Sequence, residues 1–480
     1  MASTPDLNAL KIIESGLEQK GNTPKRVIVV GAGMAGLAAG YELLRAGHDP
    51  IILEAQNRVD GRVYTLRQPF APGLYAEAGA MRIPRAHDLT MTYIEKFALD
   101  TSDFTMGNRN AYYYLNGCKW RIKDTDVDPD CLGFEVADHE RGKTIDELWA
   151  EALRPFARRL EESGEGCWPD IVAEYDQYST REYLESLNWS EGSIERFGLL
   201  ANQEALMNAS FLELLREEVG NYYTDMIEIE GGMDMLPRAF LPALKNHIRF
   251  GAKMVAIDQS PEDVTIHYRT HAGRFSETGD YAILTVPFPV LRHVDMLKPF
   301  SRHKQRAIRQ LHYDASAKIL FQCRRRFWEE DEGIFGGGTM TDLPIRTVYY
   351  PDHGRDTGCG VLLASYTWSE DAQRWGSLAP EERITQALEN LSCIHPQITE
   401  EFEVGTSKMW HDDEFAGGAF ALFDPGQQSL LHEHIMAPEG RIHFAGEHTS
   451  LCHAWIQGAI ESGLRAAHAI NEDSPGVASN

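Results

Sequence analysis

Three glycines near the start of the chain have the spacing of a dinucleotide-binding turn. Gly31, Gly33 and Gly36 form a G-x-G-x-x-G turn directly after a short apolar run. The first glycine permits a tight turn, the second lets a pyrophosphate approach the backbone, and the third allows close packing of helix on strand. Glu54 ends the next apolar run, where a carboxylate holds the hydroxyls of an adenosine ribose. The order of these features predicts a dinucleotide site, and a ligand-free βα turn is the simpler alternative.

Two cationic side chains stand alone in apolar surroundings, and each of them predicts chemistry. Arg82 lies among small and apolar residues, where a guanidinium needs a forked anionic partner. A surface arginine that interrupts an apolar run is the alternative. Lys318 interrupts the apolar strand 315–321, where desolvation favours the neutral amine. An edge-strand lysine that faces solvent has the same pattern, since such lysines protect sheet edges.

The elements that must position these residues alternate between strands and helices. After the first βαβ unit the pattern is mixed, and a long middle stretch is helical. Thr144 with Glu147, and Ser179 with Glu182, have the spacing of capping boxes and mark two helix starts. Strands dominate again from 313 to 421. This order predicts an α/β protein with an inserted helical segment.

The composition disfavours several classes of partner. The 480 residues carry 46 lysines and arginines against 72 acidic residues, and the net charge of −26 repels nucleic acid and anionic membranes. No apolar run approaches the length of a membrane span, and the N-terminus lacks the pattern of a signal peptide. The seven cysteines are scattered and form no C-x-x-C pair. We therefore expect a cytoplasmic protein that binds neither nucleic acid nor membrane.

The stretch after Glu54 resembles a known family signature. Residues 58–65, RVDGRVYT, are similar to the R-x-G-G-R-x-x-[ST] pattern of flavin amine oxidases, with Asp60 in place of the first glycine. Residues 77–84, EAGAMRIP, resemble the pattern G-x-M-R-[IL]-P, and residues 441–449, RIHFAGEHT, resemble I-x-F-A-G-E-x-T. Over nearly its whole length the chain resembles the L-amino-acid oxidases of the flavin monoamine oxidase superfamily.

The resemblance implies an α/β fold of three parts, two of them discontinuous. A Rossmann-like FAD-binding domain of the glutathione-reductase type is expected to comprise 24–70, 236–310 and 436–474. A mixed-sheet substrate-binding domain is expected to comprise 1–23, 71–130, 226–235 and 311–435, and an inserted helical domain 131–225. Because relatives of this type often dimerise, a homodimer is expected.

The resemblance also assigns the substrate contacts. It implies that Arg82 clamps the α-carboxylate of an amino acid beside Tyr366, and that the backbone carbonyl of Ala454 receives the amine. The segment of Tyr366 is one residue longer than the family pattern, and an ordinary core aromatic is the alternative. Trp455 corresponds to an aromatic wall of the site. Glu217 corresponds to a pocket residue that favours a basic side chain, although a solvated helix face fits the sequence equally well.

The resemblance implies catalytic roles for Lys318, which holds a water beside flavin N5, and for Trp455. Arg62 is expected by the pyrophosphate of the FAD, and Glu447 by its ribityl chain. Ala419 stands where monoamine oxidases carry a cysteine joined to the flavin, so non-covalent FAD is expected. The full set expected to bind FAD is Gly31, Gly33, Met34, Ala35, Gly36, Glu54, Ala55, Arg62, Gly79, Ala80, Met81, Arg82, Val255, Gly446, Glu447, Trp455 and Ile456.

The implied reaction is the oxidative deamination of an L-amino acid by dioxygen. Hydride passes from Cα to flavin N5, the imino acid hydrolyses to a 2-oxo acid and ammonia, and dioxygen becomes hydrogen peroxide. The alternatives are a monoamine or polyamine oxidase, which Arg82 disfavours, an amino-acid 2-monooxygenase, a flavin isomerase or desaturase, and a non-catalytic FAD-stabilised interaction protein. No metal is expected, because no zinc template matches the spacing of His443, His448, Cys452 and His453.

Overall fold

A five-stranded parallel sheet forms the centre of the computed structural model, which describes residues 8–18 and 23–473. Its strands follow the order Ile248–Arg249, Asp49–Leu53, Arg26–Val30, Tyr281–Leu284 and Ile442–Phe444. Almost every residue of the three middle strands is buried, because both faces of the sheet are covered. The carboxyl ends of these strands share one edge, which is where parallel sheets bind ligands.

Two long helices cover one face of the parallel sheet. Met34–Arg45 and Ile456–Glu472 contact each other there. Gly463 allows this approach, because a Cβ on it would lie 2.4 Å from the backbone oxygen of Ala35. The opposite face shares an apolar core with a four-stranded sheet of order Gly273–Gly279, Val264–Thr270, Lys253–Gln259 and Asp295–Met296.

A seven-stranded mixed sheet forms a second layer. Its strands follow the order Phe402–Met409, Ser316–Cys323, Gly360–Trp368, Thr347–Tyr349, Gly338–Thr341, Tyr112–Leu115 and Cys118–Arg121. The neighbours Gly338–Thr341 and Tyr112–Leu115 run parallel, and the other neighbours run antiparallel. Helix Pro380–Ile394 packs on this sheet through Ala387 and Leu391.

A β-bulge at Ala364 changes which side chains face one side of this sheet. Ile319 lies opposite Ser365, whereas Leu320 lies opposite Leu363, so Ala364 is the extra residue. Leu363 precedes the bulge and Tyr366 follows it, yet both pack in the same apolar cluster. The bulge therefore places Leu363 and Tyr366 on the same side of the sheet.

The stretch expected to be helical forms Ile145–Ser163, Trp168–Tyr175, Thr180–Ser186, Glu191–Leu200 and Phe211–Val219, which we call the helical segment. Both predicted capping boxes are confirmed, with reciprocal hydrogen bonds between Thr144 and Glu147 and between Ser179 and Glu182. The apolar faces of these helices meet in one shared core.

Smaller elements connect these layers. A three-stranded antiparallel sheet has the order Ile83–Pro84, Met226–Ile229 and Thr101–Phe104, and two short pairs join Thr65–Leu66 to Ala76–Glu77 and Tyr313–Asp314 to Phe420–Ala421. The other α-helices are Ala9–Ser15, Asp88–Lys96, Ile122–Thr125, Met235–Ala239, Leu241–Leu244, Phe288–Leu291, Arg302–Gln310, Phe327–Glu330, Ser369–Gly376, Ile398–Glu401 and Gln427–Met436. Short 3-10 helices are Pro129–Leu132, Gly164–Cys167, Glu204–Leu206, Arg355–Thr357 and Glu447–Thr449. The α/β class is confirmed, and the boundaries of the three domains stay a prediction.

Candidate active site

One cavity of about 1470 Å³ runs from the carboxyl edge of the parallel sheet to the seven-stranded sheet and the helical segment. The residues that were predicted for the site and that line this cavity are Gly31, Gly33, Met34, Ala35, Glu54, Ala55, Arg62, Gly79, Ala80, Met81, Arg82, Glu217, Val255, Lys318, Tyr366, Gly446, Glu447, Ala454, Trp455 and Ile456. Gly36 is not among the lining residues. A Cβ there would stand 2.0 Å from the backbone oxygen of Gly31, so Gly36 packs helix on strand, and its contact with the cofactor stays a prediction.

The end of the cavity at the parallel sheet is built from backbone groups. Gly33 precedes the helix Met34–Arg45 without any side-chain cap, so the first N–H groups and the positive end of the helix dipole stay available to an anion. Gly33 itself lines the cavity, and a Cβ on it would be in contact with the Cα of Gly61 at 3.8 Å. The carboxylate of Glu54 is fixed by the N–H groups of Ala32 and Gln56, each at 2.7 Å. This donor set fits a dinucleotide.

Arg62 and Glu447 form an ion pair on the cavity wall, with 2.7 Å between Nη1 and Oε1. The same Arg62 nitrogen donates to the backbone oxygen of Ala419 at 2.9 Å. The second oxygen of Glu447 accepts the N–H of Ala454 at 3.0 Å. The pair therefore links the signature loop to the residue that precedes Trp455.

Asp60, which departs from the family pattern, adopts a backbone conformation that suits glycine. Its φ of 134° lies in the region that favours glycine. Its side chain is buried and forms an ion pair with Arg58.

Arg82 lies at the other end of the cavity, with its guanidinium carbon 5.5 Å from the ring centre of Tyr349 and 5.9 Å from that of Phe104. Its Nη1 is buried and has no hydrogen-bond partner among residues 8–18 and 23–473. Burial opposes its charge, but Tyr349 and Tyr366 outweigh this effect, so the pKa of Arg82 is above its usual value. This buried Nη1 is able to donate to an anion in the cavity, and the surface-arginine alternative is wrong.

Lys318 lies opposite Tyr366 on the neighbouring strand, with Nζ 4.6 Å from the ring centre. It is 2% exposed and donates to the backbone oxygens of Gly79 at 2.7 Å and Glu77 at 3.2 Å. Burial lowers the pKa of Lys318 to about 7. Its strand has neighbours on both sides, so the alternative of a solvent-facing edge lysine is wrong.

Glu217 holds the aromatic wall of the cavity. It accepts hydrogen bonds from Nε1 of Trp455 at 2.6 Å and from the hydroxyl of Tyr223. The Trp455 ring also packs edge-on against His87 and Tyr222, with ring centres 5.0 and 5.7 Å away. Burial raises the pKa of Glu217 to about 7. The alternative of a solvated helix face is therefore wrong.

Among the cavity residues that the sequence analysis missed are Tyr349, Tyr223 and His87. Tyr349 approaches Arg82 only through the folding of distant segments, whereas Tyr223 follows Glu217 by six residues and binds it across the end of the helix. His87 is 1% exposed and its Nε2 is unpartnered within the described part of the chain. The available signal for His87 was its place three residues after the signature stretch 77–84.

The structure offers no arrangement of three or more His, Cys, Asp or Glu side chains suited to a metal ion in residues 8–18 and 23–473. Of the four residues considered for zinc, His453 pairs instead with Glu213. Over the same residues, none of the helices combines the length and the apolar character that a membrane span requires.

Fold and site together define a flavin-dependent oxidoreductase. The chain belongs to the family of flavin containing amine oxidoreductases, whose model matches residues 34–471. The resemblance in the sequence signatures is therefore confirmed at the level of the family, and so is its flavin cofactor.

Individual relatives are similar over almost their full length. The chain is 43% identical to YobN of Bacillus subtilis (strain 168), covering 98% of this chain and 99% of that one. It is 38% identical to the L-amino-acid oxidase of Vipera ammodytes ammodytes, covering 97% and 96%. The solved cyclohexylamine oxidase from Brevibacterium oxydans IH-35A has a TM-score of 0.74 at 19% identity, covering 94% of this chain and 99% of that one. This last likeness confirms the predicted fold.

Proposed function

We propose that the protein is an FAD-dependent L-amino-acid oxidase. It converts an L-amino acid, water and dioxygen to a 2-oxo acid, ammonia and hydrogen peroxide. The observation that carries this proposal is the buried, unpartnered Nη1 of Arg82 in the cavity. An α-carboxylate satisfies that nitrogen, whereas a simple amine leaves it unpaired at a free-energy cost. The relative from Vipera ammodytes ammodytes, which is named an L-amino-acid oxidase, supports the same substrate class.

The two ends of the substrate backbone have different partners in this proposal. Arg82 and the hydroxyl of Tyr366 bind the carboxylate, and the backbone carbonyl of Ala454 accepts the amine. Trp455 forms the wall between them. Fixing both ends orients the Cα–H bond, and such orientation supplies a large share of the barrier reduction.

The residues that would hold the FAD without a covalent bond are the Gly33 turn, Glu54, Arg62, Val255 and Glu447. When bound, the flavin accepts a hydride from the substrate and passes the electrons to dioxygen. Ala419 has no nucleophilic side chain, which supports non-covalent binding.

Lys318 serves proton transfer in this site. The two backbone oxygens that accept its N–H groups fix Nζ beside Tyr366. In this proposal Nζ holds a water there. A pKa of about 7 lets the amine gain or lose a proton near neutral pH.

Glu217 biases the side-chain preference toward basic amino acids. Its carboxylate lines the cavity, and its pKa of about 7 leaves it charged above neutral pH. We expect the ratio of kcat/KM for L-lysine to that for L-leucine to rise as pH increases through about 7, and to become flat in Glu217→Gln.

The wider setting is also a proposal. All seven cysteines are free thiols, which supports a reducing, cytoplasmic compartment. The net charge of −26 supports a protein that binds neither nucleic acid nor membrane. We further propose a homodimer and the three-domain division given above.

A peroxide-coupled assay of the purified flavoprotein tests the function. The panel contains the common L-amino acids, with D-phenylalanine and benzylamine as controls. Turnover of L-amino acids alone supports the proposal. Turnover of benzylamine alone contradicts it, as does reduction of the flavin by amino acids without peroxide.

A further inference from the structure

One helix of the helical segment contacts residues 453–455 at two points; this loop carries Ala454, whose carbonyl is proposed to accept the substrate amine. In Phe211–Val219, Glu213 Oε1 accepts a hydrogen bond from Nδ1 of His453 at 2.9 Å. Glu217 Oε1 accepts one from Nε1 of Trp455 at 2.6 Å. Side chains four residues apart share one face of a helix, so a single helix face forms hydrogen bonds with the residues on both sides of Ala454.

Ala454 needs this support because its backbone is strained. Its φ is 65°, in the left-handed region that costs a non-glycine residue about 1 kcal/mol or more. Such conformations persist where the surroundings over-determine them, commonly at binding sites. The N–H of Ala454 is bound by Glu447, and the side chains of its two neighbours are bound by the helix. The direction of its carbonyl is thus set by three carboxylates.

The hydrogen bond between Glu213 and His453 is buried in the protein and is not a surface contact. Glu213 is 8% exposed and His453 is 3% exposed. The same Glu213 oxygen accepts the N–H of Phe423 at 3.0 Å, which fixes the carboxylate against a third segment. Glu213 does not line the cavity, so any effect on the substrate is indirect.

We propose that Glu213 is a positioning residue that, through His453, aims the carbonyl of Ala454 at the substrate amine. The proposal rests on the proposed function and assigns part of substrate recognition to the helical segment. It also assigns the two ends of the substrate to different residues. Loss of Glu213 weakens binding of the amine and leaves binding of the carboxylate by Arg82 unchanged.

The test compares Glu213→Ala and Glu213→Gln with the wild-type holoenzyme. Anaerobic flavin reduction at increasing L-amino-acid concentration gives a dissociation constant and a limiting rate. Flavin absorbance titrated with 3-phenylpropionate measures binding of a carboxylate that has no amine. Glu332→Gln is the matched control, because Glu332 forms a similar buried pair with His395, 3.0 Å between Oε1 and Nδ1, away from the cavity.

We expect Glu213→Ala to raise the dissociation constant of the amino acid about tenfold and to lower the limiting rate, with 3-phenylpropionate binding unchanged. Glu213→Gln retains an acceptor and restores most of the affinity, and Glu332→Gln changes neither ligand. Equal weakening of both ligands, or no change in either, overturns the proposal. If Glu213→Ala fails to fold, the same ligand comparison on Glu213→Asp decides, because the shorter side chain keeps the charge but withdraws the carboxylate from His453. A wild-type flavin that no L-amino acid reduces contradicts the proposed function instead.

Discussion

The two ends of the cavity are formed by different kinds of chemical group. At the cofactor end, backbone N–H groups and missing Cβ atoms form the surface, and most of it comes from one short stretch of chain. At the substrate end, buried side chains from separate elements form it: Arg82, Lys318 and Glu217. The first end is therefore sensitive to added volume, and the second to lost charge. Substitutions at the two ends should separate cofactor binding from substrate turnover.

The largest effect is expected from adding one methyl group at the cofactor end. In Gly36→Ala the new Cβ meets the backbone oxygen of Gly31 at 2.0 Å, so the turn and helix must move apart. We expect the purified protein to lose its flavin and about 3 kcal/mol of unfolding free energy. The flavin-to-protein absorbance ratio and the melting temperature measure this. Gly166→Ala, where the space is open, is the control, and full flavin content in Gly36→Ala would contradict the backbone account.

Arg82→Ala should show the opposite pattern at the substrate end. Loss of the charged partner lowers kcat/KM for L-amino acids by about a thousandfold, with flavin content kept. Steady-state kinetics and the flavin absorbance ratio measure the two effects. Arg85→Ala is the matched control, because Arg85 pairs with Asp103 and Asp225 at the surface. Simultaneous loss of flavin in Arg82→Ala would mean that the two ends are not separable.

Lys318→Met should affect the oxygen reaction in a pH-dependent way. Burial gives Lys318 a pKa of about 7, so the ammonium loses its proton as pH rises through that value. If the ammonium is the proton donor, the rate of flavin reoxidation falls above pH 7 in the wild type. In Lys318→Met the rate becomes flat and about a hundredfold lower. Stopped-flow reoxidation measures this, and the buried Lys304, whose pKa is also lowered to about 7, provides the control Lys304→Met.

The smallest effect is expected from Asp60→Gly. Glycine adopts a φ of 134° without strain, so this substitution should stabilise the holoenzyme by about 1 kcal/mol relative to Asp60→Ala. Both variants lose the ion pair with Arg58, so the difference between their unfolding free energies reports the cost of the backbone conformation. Chemical denaturation monitored by flavin fluorescence measures it. Equal stability of the two variants would show that the loop relaxes.

The two ends also differ in how much the sequence reveals. The glycine turn and Glu54 are local in sequence, and their order in one βαβ unit allowed the dinucleotide end to be predicted. Arg82 and Lys318 were found because each contradicts its apolar surroundings. Tyr349 and Tyr223 were missed because an aromatic side chain in a short strand or turn is equally typical of a core.

The environment of Glu217 is a second feature that the sequence could not predict. Its helix has the pattern of an amphipathic helix, and no feature of that pattern tells whether the carboxylate faces water or Trp455. That distinction depends on a loop more than two hundred residues later in the chain. Long-range contacts of this kind carry no local signature.

The bulge at Ala364 makes chain length itself a determinant of specificity. Side chains alternate between the two faces of a strand, so one additional residue exchanges the faces for everything beyond it. Leu363 and Tyr366 share a face only because of that addition. A deletion here, counted in an alignment as a minor gap, would turn Tyr366 toward the opposite core and away from Arg82, which would keep Tyr349 and Phe104 as neighbours. Insertions and deletions in this strand therefore change which side chains reach the Arg82 end of the cavity.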